Sequence, residues 1–148
     1  IPIYLAAINQ KMVEMTWDIA DGVIFYLRPK NEMEETISRM QKKKKIDTTL
    51  QIITCIHNDY EKAIKRAKKT LSFYIAVGKI YREFLQSTGY SEETGIIYEE
   101  YKKGGLNGLD EFVSDKMLDD LEPNGNNENQ MANEIVIGRL RDLGVRIK

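Results

Sequence analysis

The chain begins with the apolar run IPIYLAAI, which ends at the polar residue Asn9. A run of four to eight apolar residues closed by a polar one is typical of a β-strand that is buried on both faces. Strands of that kind lie inside parallel sheets, where other strands cover both of their edges. The run therefore predicts a parallel α/β fold, with a first strand at 2–8 that needs neighbours on either side.

Apolar runs alternate with helical stripes along the rest of the chain. Further strands are predicted at 23–27 and 48–57, and a fourth strand begins at 145–148. A helix is predicted after each of the first three strands, at 10–20, 32–43 and 59–87, and a last helix at 131–143. Alternation of this kind predicts a parallel sheet with right-handed crossover connections.

Residues that accept hydrogen bonds from free backbone amides mark the predicted starts of helices. Asn9 is the predicted cap of the first helix, and Ser114 that of a short later one. The pairs Asn31–Glu34 and Asn58–Glu61 have the spacing of a capping box. Gly22 is predicted to end the first helix in the left-handed conformation.

The length of 148 residues suits a single domain. Within it, we predict a helical insertion at about 88–121 and a flexible loop at about 122–130. The insertion is predicted to consist of short helices that glycines break, at Gly89, Gly95, Gly104, Gly105 and Gly108. The loop is predicted from its run of polar and helix-breaking residues, EPNGNNENQ.

Composition restricts the partners of the chain. The net charge of −1 provides no general attraction to nucleic acid or to a membrane surface. No apolar run reaches the roughly 18 residues that a membrane span needs. The chain has one cysteine and therefore no internal disulfide, which suits a reducing compartment. We expect a cytoplasmic protein that acts on a small molecule, with no nucleic-acid or membrane partner.

Common catalytic and metal-binding motifs are missing from the sequence. It has no glycine-rich dinucleotide or nucleoside-triphosphate loop, no H-E-x-x-H and no C-x-x-C, and we predict no metal site. His57 ends the third predicted strand, where parallel α/β folds carry active sites. It is either catalytic or a surface residue just before a helix cap, and the second interpretation is favoured. Cys55 lies in the body of that strand and is predicted to be buried and unreactive.

The turn from Ala7 to Lys11 joins a buried strand to the start of a helix. Free backbone amides and the helix dipole can hold a phosphate at such a point. Small side chains at Ala6 and Ala7 would leave room for a ligand to approach. Because every strand–helix turn shares this geometry, physical reasoning alone does not single this one out.

Three segments carry a resemblance to a known family: 2–25 (PIYLAAINQKMVEMTWDIADGVIF), 53–77 (ITCIHNDYEKAIKRAKKTLSFYIAV) and 109–121 (LDEFVSDKMLDDL). They resemble the luciferase-like oxidoreductases, and within them the deazaflavin-dependent enzymes similar to methylenetetrahydromethanopterin reductase. The pattern strand–A-A-x-x-x-K-M–helix–A-D-G-V is characteristic. The resemblance covers most of the chain.

The resemblance implies a (β/α)8 barrel that binds coenzyme F-420 or FMN at the carboxyl ends of its strands. Hydride would pass between the cofactor ring and an organic substrate, here one of the methylenetetrahydromethanopterin kind. Such enzymes are about twice as long, in line with the roughly 250 residues of a full barrel. The chain is therefore expected to match the carboxyl-terminal half of a barrel, as a fragment or as a half-barrel protein.

By position, Ala6, Ala7, Ile8, Asn9 and Gln10 match the segment whose backbone binds the cofactor phosphate in this family. The family usually has Gly-Pro where this chain has Asn9-Gln10. Its ring-binding residues come largely from the first half of the barrel, so no catalytic residue is assigned here.

The alternative is a non-catalytic half-barrel that self-associates through its open sheet edges, since an apolar edge strand tends to pair. The expected partner is accordingly a second copy or the missing amino-terminal half.

Overall fold

The structure, a computed structural model, describes residues 1–53, 55, 57, 59–121 and 145–146. These residues form two compact units, one containing 1–52 with 145–146 and the other 53–121. The single-domain arrangement with its helical insertion stays a prediction. The loop at 122–130 and the helix at 131–143 lie outside the described residues.

The first unit is a four-stranded parallel sheet in the order β1-β2-β3-β4. Its strands are β1 (Tyr4–Ala6), β2 (Gly22–Tyr26), β3 (Asp47–Gln51) and β4 (Val145–Arg146), and its helices are α1 (Gln10–Ile19) and α2 (Lys30–Gln41). Strand order follows chain order, as in a barrel wall. The predicted fold class, a parallel α/β structure, is confirmed.

An apolar cluster joins the sheet to both helices. It contains Ala7, Val13, Trp17, Val23, Phe25, Met33, Ile37, Met40 and Ile46. The alternate strand residues Val23 and Phe25 face these helices and are fully buried, whereas Ile24 and Tyr26, which alternate with them, are only half-buried. The helices therefore cover one face of the sheet, and the described residues leave the other face partly open.

The second unit is helical. It contains α3 (Tyr60–Val77), α4 (Lys79–Leu85), a kinked π-helical turn (Gln86–Tyr90), α5 (Ser91–Gly104), a 3-10 turn (Leu109–Phe112) and α6 (Asp115–Leu121). Its fully buried side chains include Leu71, Ile75, Leu85, Ile97, Leu109, Met117 and Leu118. Met117 donates its amide to Ser114 Oγ at 3.0 Å, which confirms the predicted cap of α6.

Several predicted boundaries are wrong. Gly22 does not end α1, because α1 ends at Ile19 and Gly22 is the first residue of β2. The cap of α3 is Asp59 rather than Asn58, and its side chain accepts from the Lys62 amide at 3.3 Å. The predicted long helix at 59–87 is interrupted at Gly78, between α3 and α4.

The capping box at Asn31–Glu34 is also wrong. Helix α2 already begins at Lys30, after Pro29, and no side chain caps it. Asn31 therefore lies inside the first turn rather than ahead of it. Gly95 likewise does not break a helix, since it lies in the interior of α5.

Two strands, β1 and β3, are shorter than predicted. Strand β1 covers Tyr4–Ala6 and β3 covers Asp47–Gln51. Tyr4 and Leu5 are half-buried and Ala6 is exposed, so the first strand is not buried on both faces. Among the described strands β1 pairs only with β2, and this leaves its other edge without a strand.

Candidate functional site

The turn between β1 and α1 lies at the carboxyl edge of the sheet. The Ala7 amide donates to the Ile24 carbonyl at 3.2 Å, which fastens the turn to β2. Asn9 Oδ1 accepts from the Met12 amide at 3.0 Å, and the Asn9 carbonyl accepts from the Val13 amide at the same distance. The predicted cap at Asn9 is therefore confirmed.

Backbone amides at this turn, among them those of Asn9 and Gln10, remain available to a ligand. Those of Asn9 and Gln10 donate to no other residue in the part of the chain that the structure describes. Helix α1 starts at Gln10, so the positive end of its dipole lies beside them. Amides at the start of a helix are suited to a negatively charged oxygen.

The side chains of the turn do not all face the same way. Ala6, Asn9 and Gln10 are exposed, Ile8 is half-buried, and Ala7 is only 1% exposed because its methyl group packs in the core cluster. The expectation that Ala7 leaves room for a ligand is therefore wrong, while Ala6 does have an open side chain. Gln10 binds two neighbours, with Nε2 donating to Glu14 Oε1 at 2.6 Å and Oε1 accepting from Arg39 Nη2 at 2.8 Å.

Sequence reasoning missed a buried arginine beside this turn. Arg28 follows β2 and is 3% exposed. Its Nη2 donates to the Ile8 carbonyl and its Nη1 to Glu32 Oε2, and the guanidinium lies 4.7 Å from the centre of the Phe25 ring. The only signal in the sequence was a charged residue between an apolar strand and Pro29.

The surroundings keep Arg28 charged and in place. Burial lowers the pKa of Arg28 and the Glu32 carboxylate opposes that shift, so the guanidinium stays protonated. The second oxygen of Glu32 accepts from Thr36 Oγ1 at 2.8 Å. Two residues of helix α2 therefore fix Arg28, since Thr36 orients the Glu32 carboxylate and Glu32 binds the guanidinium.

Leu27 turns the chain from β2 towards Arg28. Its φ of 48° lies in the left-handed region, which costs an L residue about 1–2 kcal/mol. The Leu27 side chain is 1% exposed, so its packing holds this conformation. Residues with strained backbone conformations are often found at active sites and ligand-binding sites.

The other candidate residues do not form a site. His57 is exposed, and its Nδ1 accepts from the Asp59 amide at 2.9 Å just before α3, in line with the favoured surface interpretation. Cys55 is half-buried and lies outside β3, so its predicted burial in the strand is wrong. Within the described part of the chain, no three potential metal ligands lie together, and no helix is long and apolar enough to cross a membrane.

A parallel sheet whose strands alternate with helices that cover one face defines an α/β protein. Residues 1–146 match the luciferase-like monooxygenase family, and the chain belongs to this family. No curated protein matches the sequence.

Among solved structures, the fold is similar to that of the coenzyme F-420-dependent tetrahydromethanopterin reductase from Methanopyrus kandleri. The TM-score is 0.74 at 20% sequence identity, over 99% of this chain and 44% of that chain. At this identity the likeness shows the fold alone. The chain thus spans less than half the length of that reductase.

Proposed function

We propose that the chain supplies the phosphate-binding part of an oxidoreductase that moves hydride between coenzyme F-420, or alternatively FMN, and an organic substrate. The observation that carries this proposal is the family match over residues 1–146. Because the similar reductase is named for coenzyme F-420, the deazaflavin is the first candidate. A substrate of the methylenetetrahydromethanopterin kind belongs to the same proposal.

The turn at Ala6–Gln10 is the proposed phosphate site. The available amides of Asn9 and Gln10 and the start of α1 suit the negatively charged oxygens of a phosphate. Exposed Ala6 offers no bulk against the ligand. When bound, the cofactor ring supplies the hydride chemistry, and residues of this chain hold the phosphate tail in place.

Paired ligands test this proposal on the purified chain. FMN and riboflavin differ only in the phosphate, and the 5'-phosphate of the deazaflavin core can be compared in the same way with the unphosphorylated core. We expect each phosphorylated ligand to bind more tightly than its partner and to shift the amide resonances of Asn9 and Gln10. Equal affinity within each pair would refute the phosphate site.

Turnover tests the wider proposal. The purified chain is mixed with the reduced deazaflavin or flavin and candidate acceptors, and ring absorbance reports oxidation. Turnover would support an oxidoreductase that acts alone, whereas phosphate-dependent binding without turnover would support a binding part that needs further barrel elements.

A second candidate is a non-catalytic half-barrel that self-associates. It is favoured by the edge of β1 that no described strand covers and by the exposure of nearby Ile1 and Ile3. An open apolar edge is a template for pairing with another chain.

A further inference from the structure

We propose that Arg28 is a positioning residue of the turn between β1 and α1. By binding the Ile8 carbonyl, it sets the orientation of the Ile8–Asn9 peptide and thereby aims the Asn9 amide at the ligand side. The inference rests on the proposed phosphate site for its functional meaning. Its structural part concerns the free chain and can be tested without any ligand.

The geometry of one peptide group determines where the Asn9 amide points. In a trans peptide, the carbonyl and the following amide N–H point in opposite directions, and the described chain contains no cis peptide bond. Since the Ile8 carbonyl points at the Arg28 guanidinium, the Asn9 N–H points away from it. Arg28 therefore orients the amide that the ligand would use without touching the ligand.

The arginine can perform this role because its own position is set independently. Glu32 of α2 accepts from its Nη1, and its guanidinium carbon lies over the ring of Phe25 in β2. One planar fork thus connects the turn after β1 with the segment after β2. Lysine has a single charged nitrogen and cannot donate to both acceptors in this geometry.

The positioning role of Arg28 depends on the shape of its guanidinium group and not on its charge. The ion pair with Glu32 compensates it, and the side chain is almost fully buried. Arg28→Lys keeps the charge and loses the fork, whereas Arg28→Met loses both. A positioning role predicts that the two variants behave alike.

The experiment follows the free chain first, by NMR of isotope-labelled protein. In Arg28→Lys and Arg28→Met we expect the Ile8 carbonyl ¹³C resonance to move upfield as its hydrogen bond is lost, and the Asn9 amide resonance to move with it. If Arg28→Met alone does not fold, the double variant Arg28→Met/Glu32→Gln replaces it, because it also removes the Glu32 charge that would be left without a partner. Unchanged Ile8 and Asn9 resonances in Arg28→Lys would overturn the proposal.

The second step is titration with FMN and with riboflavin. We expect both Arg28 variants to bind FMN about tenfold more weakly, the loss typical of one hydrogen bond, with riboflavin affinity unchanged. If the wild-type chain prefers FMN and Arg28→Lys binds it equally well, the positioning role fails while the phosphate site stands. If the wild-type chain shows no preference for FMN, the phosphate site fails, and the resonances of the free chain decide whether Arg28 orients the peptide.

Arg82 provides a matched control. Its Nη1 donates to the carbonyls of Ile75 and Ala76 at 2.7 and 2.9 Å, and its guanidinium lies 3.7 Å from the centre of the Tyr98 ring. Arg82 is half-buried and, like Arg28, binds backbone carbonyl oxygens and lies over an aromatic ring. Arg82→Met therefore removes an arginine with these two types of contact from the other compact unit. It should leave the Ile8 and Asn9 resonances and the FMN affinity as they are in wild type, and an equal effect would show that Arg28 acts only through general stability.

Discussion

Gly22 is a residue whose role depends on a side chain from another strand. In the register of the sheet it lies between Tyr4 on β1 and Asp47 on β3. The Tyr4 ring crosses over Gly22, and its hydroxyl donates to Asp47. A Cβ atom at position 22 would overlap that ring, so the glycine is required for close approach and not for a left-handed backbone.

Gly22→Ala is expected to lower the free energy of unfolding by about 1–3 kcal/mol, the usual cost of overpacking. The added methyl group must displace the Tyr4 ring and break its hydrogen bond to Asp47. Urea denaturation of Gly22→Ala, Tyr4→Phe and the double variant measures this. Tyr4→Phe should cost about 1 kcal/mol by itself and almost nothing in the Gly22→Ala background. Additive losses would contradict the explanation.

Tyr90 gives the second unit a pH-dependent contact. Its ring is 8% exposed and its hydroxyl donates to Asp120 Oδ2 at 2.6 Å. Burial and the hydrogen bond to Asp120 raise the pKa of Tyr90 well above its ordinary value. An unfolded tyrosine releases its proton near pH 10. The stabilisation is therefore complete below about pH 10 and is lost as pH rises through the higher folded pKa.

Tyr90→Phe removes that titrating proton. We expect the free energy of unfolding of the variant to be about 1 kcal/mol lower than that of wild type at neutral pH. The difference should shrink steadily above about pH 10, because only the wild type then loses stability at this site. Thermal unfolding of both proteins across this pH range measures the difference, and a constant value would disprove the coupling.

At the scale of elements, local signals predicted helix starts where a side chain binds its own helix. Asn9 and Ser114 both cap as predicted, because each bond reaches only three residues along the chain. The capping box at Asn31–Glu34 failed because α2 starts after Pro29, ahead of Asn31. Composition alone also does not separate glycines that end a helix from glycines inside one.

Gly89 and Gly95 show that difference and form a matched pair. A Cβ atom would meet nothing within 4 Å at either position, but Gly89 has a φ of 105° in the kink before α5, and Gly95 is inside that helix. Gly95→Ala should stabilise the protein by about 0.5–1 kcal/mol. Gly89→Ala should destabilise it by about 1–2 kcal/mol, since alanine rarely adopts that backbone conformation. Chemical denaturation measures both changes, and changes of the same sign would refute the assignment.

At the scale of the molecule, the described sheet has an open edge at β1. We expect the purified chain to associate at micromolar concentration, because exposed apolar residues flank this edge. Ile3→Lys, which places a charge beside β1, should shift the equilibrium towards monomer. Ile19→Lys is the control, since Ile19 is similarly exposed but lies at the end of α1 (59% and 67% exposed). Sedimentation equilibrium measures the three proteins, and a compact wild-type monomer would exclude association.

The sequence by itself determined the order of the described strands and of the helices between the first three of them, the parallel fold class, the caps at Asn9 and Ser114, and the family. The order, the fold class and the caps depend on the periodicity of apolar residues and on hydrogen bonds between near neighbours, both of which can be read along the chain. The family follows from the motifs in three segments. Strand ends were less predictable, because apolar residues continue beyond the last paired position.

Only the tertiary structure decided the roles of Arg28, Gly22 and Ala7. The contact of Arg28 with the Ile8 carbonyl joins residues 20 positions apart, and that of Tyr4 with Asp47 spans 43 positions across Gly22. Ala7 is buried because α1 and α2 fold over the same face of the sheet. Such roles arise only when the sheet has brought distant segments together. They therefore cannot be predicted from local patterns in the sequence.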